Sequence, residues 1–262
     1  MKTIDMTYAG RTVSLPDLPD YRKFYAKLGA GTWEPHTFDV LRRNLDRGIA
    51  YVDIGAWIGV TPFWASGLAR KVLAIEPDPK CIEILRQLAP AHDNVTVIHA
   101  ALASEADVTI HAVDGFGSSE TSILDIGDGD SVKVQGLGMD RIMQEAGPGP
   151  VFVKIDIEGY EFAMASEIAR LQAYDLAGLQ LAVHPQLLEK SLRGPRPWRR
   201  LLTAWKVWRL SRVLGGLFPA PRLTKYPSVF DYVVKGVLLR DVPRGADFIF
   251  ERIRPRGPGE RE

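Results

Sequence analysis

The chain has 262 residues, of which 46% are hydrophobic, and this size suits one α/β domain with a sizeable core. Its 33 Lys and Arg residues nearly balance its 32 Asp and Glu residues, so net charge gives no general attraction to nucleic acid. The single cysteine, Cys81, excludes an internal disulfide framework and a zinc site built from cysteines alone. The sequence shows no signal-peptide core and no apolar run of transmembrane length, so we expect a cytoplasmic protein.

The chain divides into three regions. We predict that residues 1–47 form a helical entry region, with helices near residues 21–27 and 37–45. Residues 48–189 form the core of the fold. Residues 190–262 contribute a basic, tryptophan-rich helix and the closing strands of the same domain.

Strands and helices alternate through the core. Apolar runs predict five strands, at residues 49–54, 72–75, 94–99, 151–157 and 179–183. Helical patterns lie between or beside them, at residues 59–69, 79–88, 139–145 and 160–171. This rhythm predicts an α/β fold with a doubly wound, mostly parallel sheet and right-handed crossovers.

Two features lie outside this rhythm. Residues 108–113 and 131–135 alternate like strands around residues 114–130, a loop rich in Gly, Ser and Asp. We predict an inserted hairpin whose mobile tip covers the site, and the alternative is a solvated surface loop without a role. Residues 229–237 and 247–252 are predicted to be closing strands, including an antiparallel edge strand.

Two strands end in acids and are followed by turns. Tyr-Val-Asp-Ile-Gly-Ala-Trp-Ile-Gly occupies residues 51–59, and Val-Leu-Ala-Ile-Glu-Pro occupies residues 72–77. A carboxylate at a strand end, here Glu76, can bind ribose hydroxyls, and glycine lets the backbone pass close to a ligand. This pairing predicts a site for a nucleoside-containing cofactor at the carboxyl edge of the sheet.

The glycine turn indicates which cofactor binds. Trp57 stands at the third position from Gly55, where a dinucleotide fold needs glycine because the backbone must approach a pyrophosphate. NAD and FAD are therefore disfavoured. S-adenosylmethionine has no pyrophosphate, and Asp53 suits its ammonium and sulfonium charges.

A further run, Lys-Ile-Asp-Ile-Glu-Gly at residues 154–159, follows the fourth core strand. With the glycine turn, Glu76-Pro77 and Trp-Glu-Pro at residues 33–35, it resembles the FkbM family of S-adenosylmethionine-dependent methyltransferases over about residues 30–185. The chain departs from the family pattern at Trp57 and at residues 136–140. The resemblance implies a class I methyltransferase fold of Rossmann-like type.

The resemblance also implies roles for individual residues. It places the cofactor against Asp53, Gly55, Ala56, Gly59, Glu76, Ala101, Leu102 and Asp156, with Ala101 and Leu102 near the adenine. It places the acceptor against Asp156, Glu158 and His184. His184 is our first candidate for a general base because imidazole titrates near neutral pH, and Asp156 and Glu158 are alternatives.

The same three residues can be considered as metal ligands. Carboxylates and an imidazole suit magnesium, manganese or zinc. Because Asp156, Glu158 and His184 lack a compact spacing motif, we predict no metal site.

The segment from Lys190 to Phe230 contains no Asp or Glu. Within residues 196–213, basic residues accompany a helical stripe that contains Trp198, Trp205 and Trp208. Such a helix can lie at an anionic membrane or bind a lipid-linked substrate. Alternatively, its tryptophans pack on the sheet, or it contacts RNA phosphates, which we consider less favoured.

The family resemblance implies an O-methyltransferase that acts on a hydroxyl of a sugar, a glycan or glycolipid, or a natural product. The protein would be cytoplasmic, and peripheral membrane contact through the basic helix stays open beside the alternatives given above. The alternatives are an RNA methyltransferase and a non-enzymatic interaction module that retains the fold.

Overall fold

The computed structural model describes residues 2–112, 115–117, 121–124, 130–217, 222–239 and 245–251. The chain opens with a hairpin of strands β1 (Thr3–Tyr8) and β2 (Arg11–Pro16). The central sheet is built from β3 (Ala50–Ile54), β4 (Lys71–Glu76), β5 (Val95–His99), β10 (Val151–Ile155), β11 (Leu176–Val183), β12 (Arg222–Leu223) and β13 (Ala246–Glu251). A smaller sheet contains β6 (Ala101–Leu102), β7 (Asp107–Ala112), β8 (Thr121–Ser122) and β9 (Asp130–Leu137).

Nine α-helices accompany these strands within the described ranges. They are α1 (Arg22–Gly29), α2 (Pro35–Asn44), α3 (Val60–Ser66), α4 (Pro79–Leu88), α5 (Met139–Ala146), α6 (Ala165–Ala169), α7 (Pro185–Ser191), α8 (Arg196–Leu217) and α9 (Val229–Asp231). A π-helix, Tyr232–Leu238, continues from α9. In the ranges described, no helix has both the length and the apolar composition that crossing a bilayer requires.

The order of strands in the central sheet is β12-β13-β11-β10-β3-β4-β5. Strand β13 runs antiparallel to β11 and β12, and the pairs among β11, β10, β3, β4 and β5 are parallel. The chain builds one half of the sheet outward from β3 through β4 to β5, and then returns to the other side of β3 with β10. This reversal between β3 and β10 is a topological switch point, the place where doubly wound folds bind ligands. The architecture is that of the predicted class I methyltransferase fold.

Apolar side chains cover both faces of the sheet. Val52 and Val153 face a core that includes α5 and α8, whereas their strand neighbours Tyr51 and Phe152 face a core with α2, α3 and α4. Successive side chains of a strand point to opposite faces, so each central strand is buried on both sides. This explains why these strands are almost continuously apolar in sequence.

Residues 3–16 form two strands, so the prediction of a helical entry region over residues 1–47 is wrong for this stretch. Ala9 and Gly10 turn the hairpin with positive φ values of 47° and 78°, as a two-residue turn of primed type requires. Val13 and Leu15 then point into the core, two residues apart, as period-two alternation demands. Helices α1 and α2 follow as predicted.

Residues 229–237 are helical, which corrects their prediction as a closing strand. Ser228 caps the helix by accepting a hydrogen bond from the backbone N–H of Asp231 at 3.1 Å, and Lys235 pairs with Asp231 at 2.8 Å. Tyr232 and Val237 are buried. The β-branched residues of this stretch imitate a strand pattern, but the Ser cap and the spacing of the buried residues fit a helix.

The other predicted elements are present with small shifts of their bounds. The predicted helix at 160–171 is divided into two 3₁₀ turns, Tyr160–Phe162 and Arg170–Ala173, on either side of α6. The inserted hairpin is confirmed as the antiparallel pair β7 and β9. Most of the predicted mobile tip, and Arg252, lie outside the described residues.

Candidate functional site

A cavity of about 540 Å³ opens at the carboxyl ends of β3, β4 and β10, at the switch point of the sheet. The structure brings most of the predicted site residues into its wall: Gly55, Ala56, Glu76, Ala101, Leu102, Asp156, Glu158 and His184. Asp53 and Gly59 are buried and do not line the cavity. The cavity therefore unites the residues predicted to bind a cofactor with those predicted to face an acceptor.

The glycine turn after β3 has a conformation that its sequence requires. Gly55 has φ of +88°, and a Cβ at this position would lie 1.9 Å from the backbone oxygen of Asp156. Gly59 has φ of +91° and begins α3, and a Cβ there would lie 2.2 Å from the ring of Phe63. Gly55 thus allows the end of β3 to pack closely against the end of β10. Gly59 allows the turn to pack closely against α3.

Glu76 anchors the turn from the end of β4. Its Oε2 accepts the backbone N–H of Trp57 at 2.7 Å, and its Oε1 accepts that of Asp78 at 2.8 Å. Burial raises the pKa of Glu76 to about 8, although these two hydrogen bonds act in the opposite direction. Each carboxyl oxygen has a second lone pair, so Glu76 can also accept a ligand hydroxyl.

Asp53 belongs to a buried network beneath the cavity. Its Oδ2 accepts the hydroxyl of Thr61, and its Oδ1 lies 3.7 Å from Nζ of Lys154. Lys154 also donates to Oδ2 of Asp156 at 3.2 Å. Burial would lower the pKa of Lys154, but the carboxylates of Asp156 and Asp53 raise it, so the ammonium stays charged. The direct contact of Asp53 with the cofactor stays a prediction.

His184 is surrounded by carboxylates. Its Nδ1 lies 2.9 Å from Oε1 of the fully buried Glu161, and its Nε2 lies 3.7 Å from both Asp156 and Glu158. Burial lowers the pKa of His184, but hydrogen bonding to Glu161 and the charges of all three acids outweigh it and raise the pKa to about 10. At neutral pH the ring therefore carries two protons and a positive charge.

The neighbours of Asp156 lower its pKa, whereas those of His184 raise the pKa of the imidazole. Burial would raise the pKa of Asp156, but the charges of Lys154 and His184 hold the pKa below its ordinary value, so this carboxylate is ionised at neutral pH. Its Oδ1 is buried and, among the described residues, has no hydrogen-bond partner. Asp156 lines the cavity and its side chain is 20% exposed, so its ionised carboxylate is suited to accept a hydrogen bond from a ligand hydroxyl.

Asp156, Glu158 and His184 also meet a geometric test for metal ligands, because one ligand atom from each lies within 4.8 Å of the others. Two positively charged side chains, however, already lie beside these acids. Lys154 contacts Asp156 at 3.2 Å, and His184 itself is protonated. A divalent cation would have to displace a proton from His184 and tolerate the nearby ammonium.

Sequence reasoning did not identify Glu34 as a site residue. Glu34 lines the cavity, and its backbone has a left-handed φ of 39° at the start of α2. Burial raises the pKa of Glu34 to about 7, with Lys154 acting to lower it and Asp156 to raise it. The Trp-Glu-Pro signal at residues 33–35 was visible in the sequence, but only the fold brings it opposite the strand ends.

An aromatic wall closes the cavity on the N-terminal side. Trp57 packs against Phe24, with ring centroids 4.7 Å apart, and against Tyr21 at 5.6 Å. The indole N–H of Trp57 and the hydroxyl of Tyr21 both donate to the carbonyl oxygen of Gly117, at 3.2 and 2.8 Å. The backbone N–H of Gly117 donates to Asp78 at 2.7 Å. These hydrogen bonds therefore hold Gly117, and with it the described part of the inserted hairpin loop, beside the cavity.

Comparison with known proteins identifies a family over the same residues. The sequence model described as the methyltransferase FkbM domain matches residues 53–184, slightly more than half of the chain. This range begins at Asp53 and ends at His184, so it includes all the predicted site residues. No curated protein is similar enough in sequence to count as a match.

Three solved structures illustrate the similarity in fold. An rRNA methylase from Streptococcus thermophilus is 11% identical with a TM-score of 0.47, over 84% of this chain and 95% of that one. A putative methyltransferase from Streptococcus mutans, solved in complex with SAH, is 12% identical with a TM-score of 0.46, over 83% and 97%. A methyltransferase FkbM from Methylobacillus flagellatus KT is 16% identical with a TM-score of 0.43, over 90% of this chain and 56% of that one.

Proposed function

The chain belongs to the FkbM methyltransferase family, and we propose that it transfers the methyl group of S-adenosylmethionine to a hydroxyl of a sugar, a glycan or glycolipid, or a natural product. One observation supports this proposal most directly. A single cavity joins the glycine turn and Glu76 to the ionised carboxylate of Asp156. Cofactor and acceptor could therefore meet without a large movement of the sheet.

The residues present fit S-adenosylmethionine. A cavity of about 540 Å³ is of the size of small-molecule sites, which are roughly 300–1,000 Å³. Glu76 offers acceptors for ribose hydroxyls, and the buried Ala101 and Leu102 offer an apolar surface for an adenine. The acids Glu34, Asp156 and Glu158 complement a cofactor with positive charge.

When bound, S-adenosylmethionine would supply an activated methyl group on a positively charged sulfur. The main task of the protein is then to align the acceptor hydroxyl, because holding two reactants in line can contribute ~7–11 kcal/mol. We assign this alignment to Asp156, Glu158 and His184. The Ser122 hydroxyl donates to the backbone oxygen of Glu158 at 2.7 Å, which fixes the hairpin against this acceptor side.

The acceptor must also lose its proton. A neutral imidazole would be needed for His184 to act as the base, and its carboxylate neighbours keep it protonated at neutral pH. We therefore assign proton acceptance to the ionised Asp156, with His184 as a positioning cation between Asp156 and Glu158. Glu34 lines the same cavity, and its pKa of about 7 suits it to take up the proton afterwards.

The first test is the cofactor. Calorimetric titration should detect binding of S-adenosylmethionine and no binding of NAD. Glu76→Gln replaces an acceptor oxygen by an NH₂ group that cannot accept a ribose hydroxyl, and we expect it to weaken S-adenosylmethionine binding ~10-fold, because a buried polar group left without its hydrogen-bond partner costs ~1–3 kcal/mol. Glu83→Gln is the matched control, since Glu83 is exposed on α4. A folded protein that binds no S-adenosylmethionine would overturn the proposal.

The second test is the acceptor class. Methyl transfer from labelled S-adenosylmethionine would be measured to free oligosaccharides, short-chain lipid-linked sugars and total RNA. We expect label on a sugar hydroxyl, and Asp156→Asn should lower turnover by ~10²–10⁴-fold, the usual effect of a positioned base. Cofactor binding is measured separately for this variant. Label on RNA alone would replace the proposed acceptor class with nucleic acid.

A further inference from the structure

Helix α8 presents large apolar side chains to solvent. Trp198, Leu201, Trp205 and Trp208 are 60%, 54%, 48% and 51% exposed. At 100° per residue these four side chains fall within one third of the helix circumference. We call them, with Arg209 and Arg212, the outer face of α8. The sequence alternative in which the tryptophans pack on the sheet is wrong.

The opposite side of α8 packs against the apolar core. Thr203, Val207, Leu210 and Leu214 are buried and lie about half a turn away from the outer face, and the buried Ala204 lies between the two sides. The helix is therefore fixed to the domain without its tryptophans. A cluster of exposed tryptophans that does not contribute to the core marks an interaction surface.

The outer face is also positively charged. Arg209 lies 5.5 Å from the ring of Trp205, and Arg212 lies 5.7 Å from the ring of Trp208. Arg196, Arg199, Arg200 and Lys206 add charge elsewhere on α8, which contains no Asp or Glu. The surface thus combines indole rings with guanidinium groups and lacks the acids that would repel an anionic partner.

We propose that the outer face of α8 docks on the surface of an anionic lipid bilayer. Tryptophan prefers the interface between lipid headgroups and acyl chains, and each Arg or Lys near the surface is attracted to anionic headgroups. A helix that lies flat on the membrane would bury the indole rings among the headgroups and place Arg209 and Arg212 beside phosphates. RNA phosphates would pair with the arginines but would leave Leu201 and the edges of the indole rings exposed to solvent.

This docking would act close to the acceptor side of the cavity. Helix α7 begins immediately after His184, has seven residues and thus spans about 10 Å. It is joined to α8 by Arg199, which donates to the backbone oxygen of Glu189 at 3.4 Å, and by Arg200, 3.8 Å from the Glu189 carboxylate. The membrane proposal stands on α8 itself and does not depend on which acceptor is methylated.

The test is co-sedimentation with vesicles of phosphatidylcholine alone and of phosphatidylcholine with phosphatidylglycerol. We expect binding to the anionic vesicles and at least tenfold weaker partitioning of the triple variant Trp198→Ser, Trp205→Ser, Trp208→Ser. The double variant Arg209→Gln, Arg212→Gln should lose the preference for phosphatidylglycerol. Ile4→Ser, which changes an exposed residue of β1, is the matched control and should bind like the wild type. Thermal melting confirms that each variant is folded.

Three results would overturn the proposal. The first is no binding to either vesicle, or binding that the tryptophan variant retains in full. The second is a wild-type dimer that becomes monomeric in the tryptophan variant, which would mean that a second copy covers this face. The third is binding of total RNA through the outer face without any binding to vesicles. Inactive variants that still bind vesicles would leave the proposal intact and count against the assigned enzyme function alone.

Discussion

At the scale of single residues, the charge of His184 is set by its neighbours and gives a pH signature. Glu161, Glu158 and Asp156 raise its pKa from 6.5 to about 10 in the folded protein. The folded state therefore binds a proton more tightly than the unfolded chain. The resulting stabilisation is fully present below about pH 6.5 and is lost as the pH rises through about 10.

We expect the melting temperature of the wild type to fall between pH 7 and pH 9.5 more steeply than that of His184→Gln. Gln cannot be protonated, so the variant lacks this contribution at every pH. His111→Gln, which changes a half-buried histidine of β7, should keep the wild-type slope. Parallel melting curves for the wild type and His184→Gln across this range would refute a protonated His184.

The same acids lead to a prediction about metals. Lys154 and His184 already place two positive charges beside the three carboxylates of Asp53, Asp156 and Glu158, so most of the negative charge of the cluster is neutralised without an ion. We expect methyl transfer and melting temperature to be unchanged after treatment with a chelator. Added magnesium, manganese or zinc should not raise the activity. Activity that is lost with chelator and restored by one of these ions would make the three residues a metal site.

How far the site was predictable depends on where each residue lies relative to a strand end. Glu76 closes β4 and Ala101 follows β5, so the parallel sheet brings both to one edge. Asp53 lies one residue inside β3, and the alternation of the strand turns it toward Thr61 of α3. Glu34 reaches the cavity only through the packing of α2, a long-range contact that the local Trp-Glu-Pro pattern does not reveal.

At the scale of elements, the turn between β3 and α3 depends on its glycines, and Gly55 makes the tighter contact. Gly55→Ala would place a Cβ 1.9 Å from the backbone oxygen of Asp156 in β10's exit loop, and no flexible side chain can yield there. Gly10→Ala is the matched control, because Gly10 has a similar φ of +78° but no atom within 4 Å of its Cβ position.

We expect Gly10→Ala to cost about 1–2 kcal/mol of unfolding free energy, the strain of a left-handed alanine. Gly55→Ala should cost more than this and abolish S-adenosylmethionine binding, because β3 must move away from β10. Urea unfolding and calorimetry measure the two effects. Equal losses of stability in the two variants would show that close packing at Gly55 is unimportant.

Element bounds were predictable where capping residues mark them. Helix α4 has the predicted bounds, because Asp78 accepts hydrogen bonds from the N–H groups of Lys80 and Cys81 and Pro90 follows its end. The hairpin of β1 and β2 was missed because its strands are polar on one face and its turn, Ala9-Gly10, is not the usual Asn-Gly signal. Residues 229–237 show the reverse error, because a helix was predicted as a strand. Their β-branched composition was given more weight than the helix cap at Ser228.

At the scale of the whole molecule, the C-terminal part belongs to the same folding unit as the site. Strand β13 pairs with β11 over its full length, from Ala246 opposite Val183 to Glu251 opposite Gly178. Phe248 of β13 is fully buried and contacts the ring of Tyr232, with centroids 6.2 Å apart. Core residues of α8 belong to the same apolar cluster.

This architecture predicts one cooperative unfolding transition for the whole chain. Phe248→Ala should lower the unfolding free energy by about 3–5 kcal/mol, as the loss of a buried Phe does, whereas Phe230→Ala should change it by less than about 0.5 kcal/mol because Phe230 is 75% exposed. Far-UV circular dichroism and tryptophan fluorescence should report coincident transitions in both variants. A separate early transition in Phe248→Ala, with S-adenosylmethionine binding retained at that denaturant concentration, would divide the chain into two units. Helix α8 would then be independent of the sheet that carries the cavity, whereas coincident curves mean that the sheet and α8 fold and unfold together.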